Sequence, residues 1–192
     1  MEPEHVVTRR WSRGEYARLL ECGLVHEDDP IELIGGRLVV KEPQHASHAT
    51  ACRLVTQALD RVFVGDWDVR PGLPLALDPE SEPEPDVSVV IGRPRDYLAD
   101  HPARPVLVVE VSLSRLAFDR RHKASLYARA GIAEYWIVNL PERCLEVFRD
   151  PVAPAGPEDD WHYGGASVLR AGETVTPLAA PAASIPIADL LP

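Results

Sequence analysis

Apolar and polar positions change their period several times along the chain. Residues 12–21 predict a short helix, with Ser12 as N-cap and Glu15 three residues on, the spacing of a capping box. Residues 31–34 and 37–41, separated by Gly35-Gly36, predict a hairpin closed by a glycine turn. From about residue 47 to 63 the period becomes helical. Val55, Ala58, Leu59, Val62 and Phe63 form one stripe, and His48 and Cys52 extend it towards the helix start.

Three strands are predicted next. The first covers 67–77, bent or at an edge because Pro71 and Pro74 interrupt it. The second covers 86–91. The third, 105–112, is almost continuously apolar, as in a strand covered on both faces. A helix over 118–130 follows, with Gly131 just past its end. Residues 134–140 predict another buried strand and 144–148 its hairpin partner. Residues 150–160 predict a mobile, proline-rich acidic loop, and the tail from Trp161 returns as short strands against the sheet edge. The core order is helix, three strands, helix, strand: an α/β fold with a mixed central sheet flanked by helices, an N-terminal helix-hairpin and a C-terminal β extension.

The length of 192 residues suits one core, so a single domain over 1–192 is expected. The longest apolar runs are four to five residues, far below the roughly 18 of a membrane helix, so no membrane association is expected. Met1-Glu2-Pro3-Glu4-His5 is acidic and lacks an apolar stretch, which predicts no signal peptide and a cytoplasmic location. Cys22, Cys52 and Cys144 form no C-x-x-C pair, and buried free thiols are the expectation. The net charge of −10 argues against indiscriminate nucleic-acid binding but permits a local basic surface. Of 20 basic residues only Lys41 and Lys123 are lysines, which draws attention to positions where a compact ammonium is kept.

Asp86 opens its strand after Pro85. Glu110 lies inside the third strand, on the face of Val106, Val108 and Ser112, while Leu107, Val109 and Val111 face the other way. A carboxylate in such company is costly to bury unless it is paired or binds a metal. With the two strands adjacent, Asp86 and Glu110 converge on one hard cation, Mg²⁺ or Mn²⁺. Lys123 shares a helix face with Leu126, Tyr127 and Ala130, whose apolar members must meet the sheet, so its ammonium points inward too. Arg120, Arg121 and His122 are left to face solvent.

Pro85-Asp86, Glu110 within Val108-Val109-Glu110-Val111-Ser112, Asp119-x-x-x-Lys123-x-x-x-Tyr127, Gly131 and Glu134-Tyr135-Trp136-Ile137-Val138 together resemble the Uma2 family (DUF820), of the PD-(D/E)XK nuclease superfamily. Glu32-Leu33-Ile34-x-Gly36 and His48 ahead of a helix also match, so the resemblance spans about residues 12–190. It implies a restriction-endonuclease-like fold and metal-dependent hydrolysis of phosphodiester bonds, with DNA the expected partner. Asp86 and Glu110 are the implied metal ligands and, with Lys123, the implied catalytic set. The superfamily's acid-x-Lys reads Glu110-Val111-Ser112 here, and the resemblance implies that Lys123 supplies the lysine from the following helix. The family's Ser-Pro-Ser is Ser112-Leu113-Ser114.

Each residue has a plainer reading. Asp86 can be a strand-start residue, Glu110 an ion-pair partner of Lys123, and Lys123 a side chain snorkelling along a helix edge. Glu32 is either a third carboxylate near the metal or a solvated hairpin residue. His48 either touches phosphate or metal as an auxiliary, or caps its helix or packs half-buried. Asp119 predicts an i,i+4 ion pair with Lys123. Arg115, Arg120 and Arg121 are candidate phosphate contacts or a solvated helix face. A catalytically inactive nucleic-acid- or protein-binding module on the same fold is the alternative function, and a homodimer stays open.

Overall fold

A computed structural model describes residues 8–26, 28–41, 45–156 and 159–192. Helix α1 (Arg13–Glu21) begins on a reciprocal capping box between Ser12 and Glu15. Strands β1 (Ile31–Ile34) and β2 (Arg37–Val40) form the antiparallel hairpin. Its turn needs two glycines, because Gly35 and Gly36 have φ of 54° and 76°. Helix α2 (Ala46–Val62) buries Ala51, Val55, Ala58 and Leu59.

The central sheet has six strands in the order β3 (Trp67–Pro71), β4 (Val87–Ile91), β5 (Leu107–Ser112), β6 (Glu134–Asn139), β7 (Cys144–Val152) and β8 (His162–Arg170). Only β5 and β6 are parallel; the other neighbours are antiparallel, so the sheet is mixed. The helix joining the parallel pair runs through Leu116–Phe118, a π-helical turn Asp119–Lys123, and Ala124–Arg129; we call the whole α3. Short strands β9 (Thr174–Val175) and β10 (Ile185–Pro186) pair with each other. No helix of the described residues is long and apolar enough to cross a membrane.

Three boundaries differ from the sequence expectation. The first strand stops at Pro71, on the edge of the sheet, and Gly72 turns the chain away with φ 60°. Proline has no N–H to continue a ladder, so the apolar Leu75 and Ala76 are buried as irregular chain instead. Strand β7 continues to Val152, which shortens the predicted 150–160 loop; residues 157 and 158 of that loop lie outside the described residues. The returning tail opens with a nine-residue strand, β8, paired along β7 at the sheet edge, before the short pair β9 and β10.

The sheet has two apolar faces. Val87, Val89, Leu107, Val109, Val111, Trp136 and Val138 pack with α2 and the C-terminal segment. Val90, Val108, Tyr135 and Ile137 pack with Ala124, Leu126, Tyr127 and Ala128 of α3. The alternation of β5 thus sends Glu110 to the α3 side, as the pleat requires. The α1–hairpin unit has its own small cluster of Tyr16, Val25 and Leu33. It is tied to the chain ahead of β4 by backbone bonds between Leu33 and Glu82.

Glu134 joins β6, β7 and the tail. It is fully buried, its Oε1 accepts from Trp136 Nε1 (3.0 Å) and from Arg149 Nε (2.9 Å) and Nη2 (2.6 Å), and its Oε2 accepts from Leu178 N (2.7 Å). Truncation leaves these donors without their acceptor. Glu134→Ala is expected to lower stability by about 3 kcal/mol or more in urea unfolding, and Glu134→Gln, which keeps an acceptor, by clearly less. Equal losses in the two variants would mean that the ionised carboxylate with both its oxygens, and neither side-chain volume nor a single neutral acceptor, is what Glu134 supplies.

Candidate active site

The site lies where β4 begins and β5 ends. The β4–β5 register pairs Val87 with Val109, and one step further brings Asp86 level with Glu110. Asp86 Oδ2 accepts the Val111 N–H at 2.7 Å, so the carboxylate takes over a hydrogen bond at the ladder's end. Its other oxygen, Oδ1, lies 3.2 Å from His48 Nε2. Glu110 is buried and its Oε1 accepts from Lys123 Nζ at 2.8 Å and from Tyr127 OH at 2.6 Å. Lys123 Nζ also stands 3.3 Å from Glu32 Oε1, while Glu32 Oε2 accepts the Glu84 N–H at 3.0 Å.

The π turn explains how Lys123 reaches this position. The Ala124 N–H bonds to the Asp119 carbonyl, five residues back, which inserts one residue into the helical phase. Arg115, Phe118, Asp119 and Lys123 all line one cavity. In an unbroken α-helix Lys123 would be turned about 80° away from Arg115, at about 100° per residue. With the inserted residue the four positions share a face, and that face continues into the buried Leu126 and Tyr127.

This cavity has a volume of about 350 Å³. Its walls carry seven carboxylates (Asp28, Asp29, Glu32, Glu84, Asp86, Glu110, Asp119) against three fixed cations (Lys41, Arg115, Lys123) and His48. Lys41 is ion-paired with Glu84. Burial, assisted by the nearby Asp86, Asp119 and Glu32, raises the Glu110 carboxyl to about 8, although Lys123 opposes the rise. Burial alone would raise Asp86 as well, but His48, the Val111 N–H and Lys123 together hold it below the ordinary carboxylate value. Lys123 is shifted upward despite its burial because Glu110 and Glu32 stabilise its charge. Burial keeps the Tyr127 phenol protonated, so it remains a donor to Glu110. Oxygen-rich walls with an excess of negative charge fit a hard divalent cation. The buried hydroxyls of Ser88 and Ser112 have no hydrogen-bond partner among the described residues, so the sheet beside the site also has polar capacity to spare.

Placement of the other candidates is mixed. Glu32 is 2% exposed and lines the cavity, so it is not a solvated hairpin residue. His48 lines the cavity half-buried; the N-cap of α2 is His45. Lys123 forms close ion pairs with Glu110 and Glu32, and Asp119 acts on it through its charge. Arg115 lines the cavity, donates to the Val40 carbonyl at 2.7 Å and lies over Phe118. Arg120 is turned elsewhere: its fork grips Glu146 at 2.8 and 2.7 Å. Arg121 lines a second cavity of about 290 Å³ with Arg10, Arg37, His122 and Arg129, and Phe118 lines both cavities.

The family profile of Uma2, described as "Putative restriction endonuclease", matches residues 13–188. The chain belongs to the Uma2 family. A solved structure described as "a putative nuclease belonging to DUF820", from Anabaena variabilis, has the same fold: TM-score 0.64 over 93% of this chain and 96% of that one, at 17% identity. No curated protein matches.

Cys52 and Tyr127 are the site neighbours that the functional reading of the sequence passed over. Tyr127 was placed on the Lys123 face, yet its hydroxyl as a Glu110 donor follows only from the fold. Cys52 lies one turn from His48, with Sγ 3.5 Å from Nδ1. Among the described residues, His48, Cys52 and Asp86 form the one trio whose metal-ligating atoms all lie within 4.8 Å of one another; Glu110 is outside it. The expectation of buried thiols holds for Cys144, but Cys52 is half-buried and Cys22 exposed, because Cys22 falls past the end of α1.

The raised Glu110 carboxyl has a signed consequence for stability. Folded, it keeps its proton up to about pH 8, whereas the unfolded carboxyl releases it near 4.5. The folded chain therefore binds more protons across that window, and in chelator-treated protein stability should fall as pH rises from about 4.5 to 8. Glu110→Gln removes this component, so the difference in urea midpoint between wild type and variant should shift steadily across the window. A constant difference would show that Glu110 is ionised throughout.

Proposed function

We propose that this protein is a divalent-metal-dependent endonuclease that hydrolyses phosphodiester bonds in DNA, with Asp86 and Glu110 as metal ligands and Lys123 as the catalytic helper. The observation that carries the reading is Lys123 Nζ at 2.8 Å from Glu110 and 3.3 Å from Glu32, in a cavity shared with Asp86 and His48. Membership of a family described as "Putative restriction endonuclease" supports it. Asp86 and Glu110 would hold Mg²⁺ or Mn²⁺, which would supply Lewis acidity at a phosphate oxygen and lower the pKa of water.

The chain's own groups perform the rest. Glu110 would hold the cation as a carboxylate, its proton released to solvent, and Tyr127 and Lys123 fix that group in place through hydrogen bonds to one oxygen. Asp86 keeps one oxygen on the Val111 N–H, so its orientation is set by the β5 backbone. The Lys123 ammonium stabilises negative charge developing on the scissile phosphate and orients the attacking water by hydrogen bonding. Glu32 anchors the ammonium from the hairpin side. With an acidic wall, the cavity repels phosphate until the cation is present, which makes nucleic-acid binding metal-assisted.

The nucleic-acid backbone enters over Phe118. Arg115 on one side and Arg37 and Arg121 of the second cavity on the opposite side give a basic path across an otherwise acidic molecule, while Arg10 and Arg129 are ion-paired with Glu80 and Asp78. Arg120 contributes less because Glu146 already holds its fork. The rival reading, a module that binds without cutting, draws on the way Glu110 is engaged by Lys123 and Tyr127 on the same oxygen.

Lys123→Met retains stem volume and removes the charge. It should fold, still take up Mn²⁺, and lose at least about a hundredfold in cleavage of plasmid DNA. Asp86→Ala should lose Mn²⁺ binding as well, measured by calorimetry. Wild-type cleavage by Lys123→Met would make the lysine a structural partner, and absence of Mn²⁺-dependent cleavage in the wild type would favour the binding module.

The basic path has a separate signature. In binding measured against salt concentration with Mn²⁺ present, Arg115→Ala/Arg121→Ala should flatten the log–log slope by about 1 to 2, for two lost phosphate contacts. Arg120→Ala should leave it nearly unchanged. A slope that does not respond to the double variant removes the path.

A further inference from the structure

Helix α2 carries His48 and Cys52 four residues apart, one turn along the same face. His48 Nδ1 lies 3.5 Å from Cys52 Sγ, and on the other side of the ring Nε2 lies 3.2 Å from Asp86 Oδ1. One ligand atom from each of the three residues falls within 4.8 Å of the others. Neither His48 nor Cys52 has a task in the cleavage chemistry described above. A sulfur, an imidazole nitrogen and a carboxylate oxygen are also the wrong donors for Mg²⁺, which prefers oxygen alone.

We propose that His48, Cys52 and Asp86 form a second metal subsite, for a thiophilic borderline ion such as Zn²⁺ or Co²⁺, which shares Asp86 with the hard-cation site and withdraws that carboxylate from it when filled. The donor set is that of three-ligand zinc sites with a fourth position left to water. Zinc bond lengths of about 2.0–2.3 Å put tetrahedral ligand atoms roughly 3.3–3.7 Å apart, so a contraction of at most about 1.5 Å closes the trio on the ion. Asp86 Oδ2 is occupied by the Val111 N–H, which leaves Oδ1, the oxygen facing His48, to coordinate. His48 and Asp86 both line the 350 Å³ cavity, so the ion and its water have a route in. On binding, the thiol proton of Cys52 passes to solvent and the sulfur coordinates as thiolate.

One carboxylate cannot serve both ions at full strength. Thiophilic metal therefore acts as an inhibitor of the hard-metal reaction, and the two compete. The withdrawal of Asp86 rests on the nuclease reading; the existence of the thiolate site does not.

Titration of the chelator-treated full chain with Co²⁺ tests the site without any cleavage assay. The expected result is a thiolate-to-cobalt charge-transfer band saturating at one equivalent and removed by Zn²⁺. Cys52→Ser should abolish the band and Cys22→Ser should keep it. His48→Ala should weaken Co²⁺ binding at least about tenfold, and Glu110→Gln should leave the band in place. Cys52→Ala, which introduces no hydroxyl, repeats the test should serine disturb the packing of α2. No band, or a band that survives both Cys52 variants, overturns the site.

The second arm measures Mn²⁺-dependent cleavage with equimolar Zn²⁺ added. Wild type should lose at least about tenfold and Cys52→Ser should resist. Equal inhibition of both overturns the sharing of Asp86. A chain that gives the cobalt band but never cuts with Mn²⁺ retains the thiolate site and loses the nuclease reading, so the two failures are distinct.

Discussion

Taking a carboxylate out of water costs several kcal/mol unless a partner and hydrogen bonds restore what is lost. Glu110 is in that position, 4% exposed within a strand whose six residues are all buried. Its two donors, Lys123 and Tyr127, come from the next element of the chain, α3, and both reach the same oxygen. Apolar residues pack α3 against the sheet, and the Lys123 ammonium and the Glu32 carboxylate that this brings in complete the surroundings of Glu110. Lys123 is itself buried, and Glu110, Glu32 and Asp119 outweigh that burial in favouring its charged form. The pair is therefore mutually dependent, and it ties the hairpin, β5 and α3 together.

Strand pleat and helix phase locate the pair. The alternation of β5 gives α2 an apolar face of Leu107, Val109 and Val111 and gives α3 the face with Val108 and Glu110. Because β4 runs antiparallel beside it, the start of β4 lies against the end of β5, which is where Asp86 meets the Val111 N–H. The π turn then shifts the helical phase by one residue, so that Arg115, Phe118 and Asp119 share the cavity with Lys123. A turn of this kind sacrifices regular helical geometry, and it falls at the point where the helix carries the site.

Charge gives the cavity its character. An acidic protein with net charge −10 concentrates seven carboxylates around a few cations at one end of its sheet, and keeps a separate group of arginines beyond Phe118. The first region calls for a cation and the second for an anion. In the function we propose, a divalent ion would meet the first demand and a phosphodiester the second. His48 and Cys52 add softer donors at the border of the acidic region, and Asp86 belongs to both sets.

Period and turn chemistry sufficed for much of this. The capping box at Ser12, the Gly35-Gly36 hairpin, the stripe of α2, the buried strands β5 and β6 and their order were legible because each depends on residues near in sequence. So was the inward face of Lys123, Leu126 and Tyr127. The extent of β7 and β8 was not, since Val152 and the 162–170 segment are held by pairing with each other across a loop. Nor was the π turn, which no local signal marks, or the burial of Glu32, which depends on how the hairpin docks on Glu82 and Glu84. Arg120 and Arg121 are neighbours in sequence, yet one grips Glu146 on β7 and the other lines a basic cavity. Cys52 looked like a core thiol until Asp86, from another element, was brought beside it. The sequence by itself determined the elements and the face of each on which the candidate side chains stand, because pleat and helical pitch are local. Only the tertiary structure decided which of them meet, because ion pairs and shared ligands form between elements whose approach is set by packing.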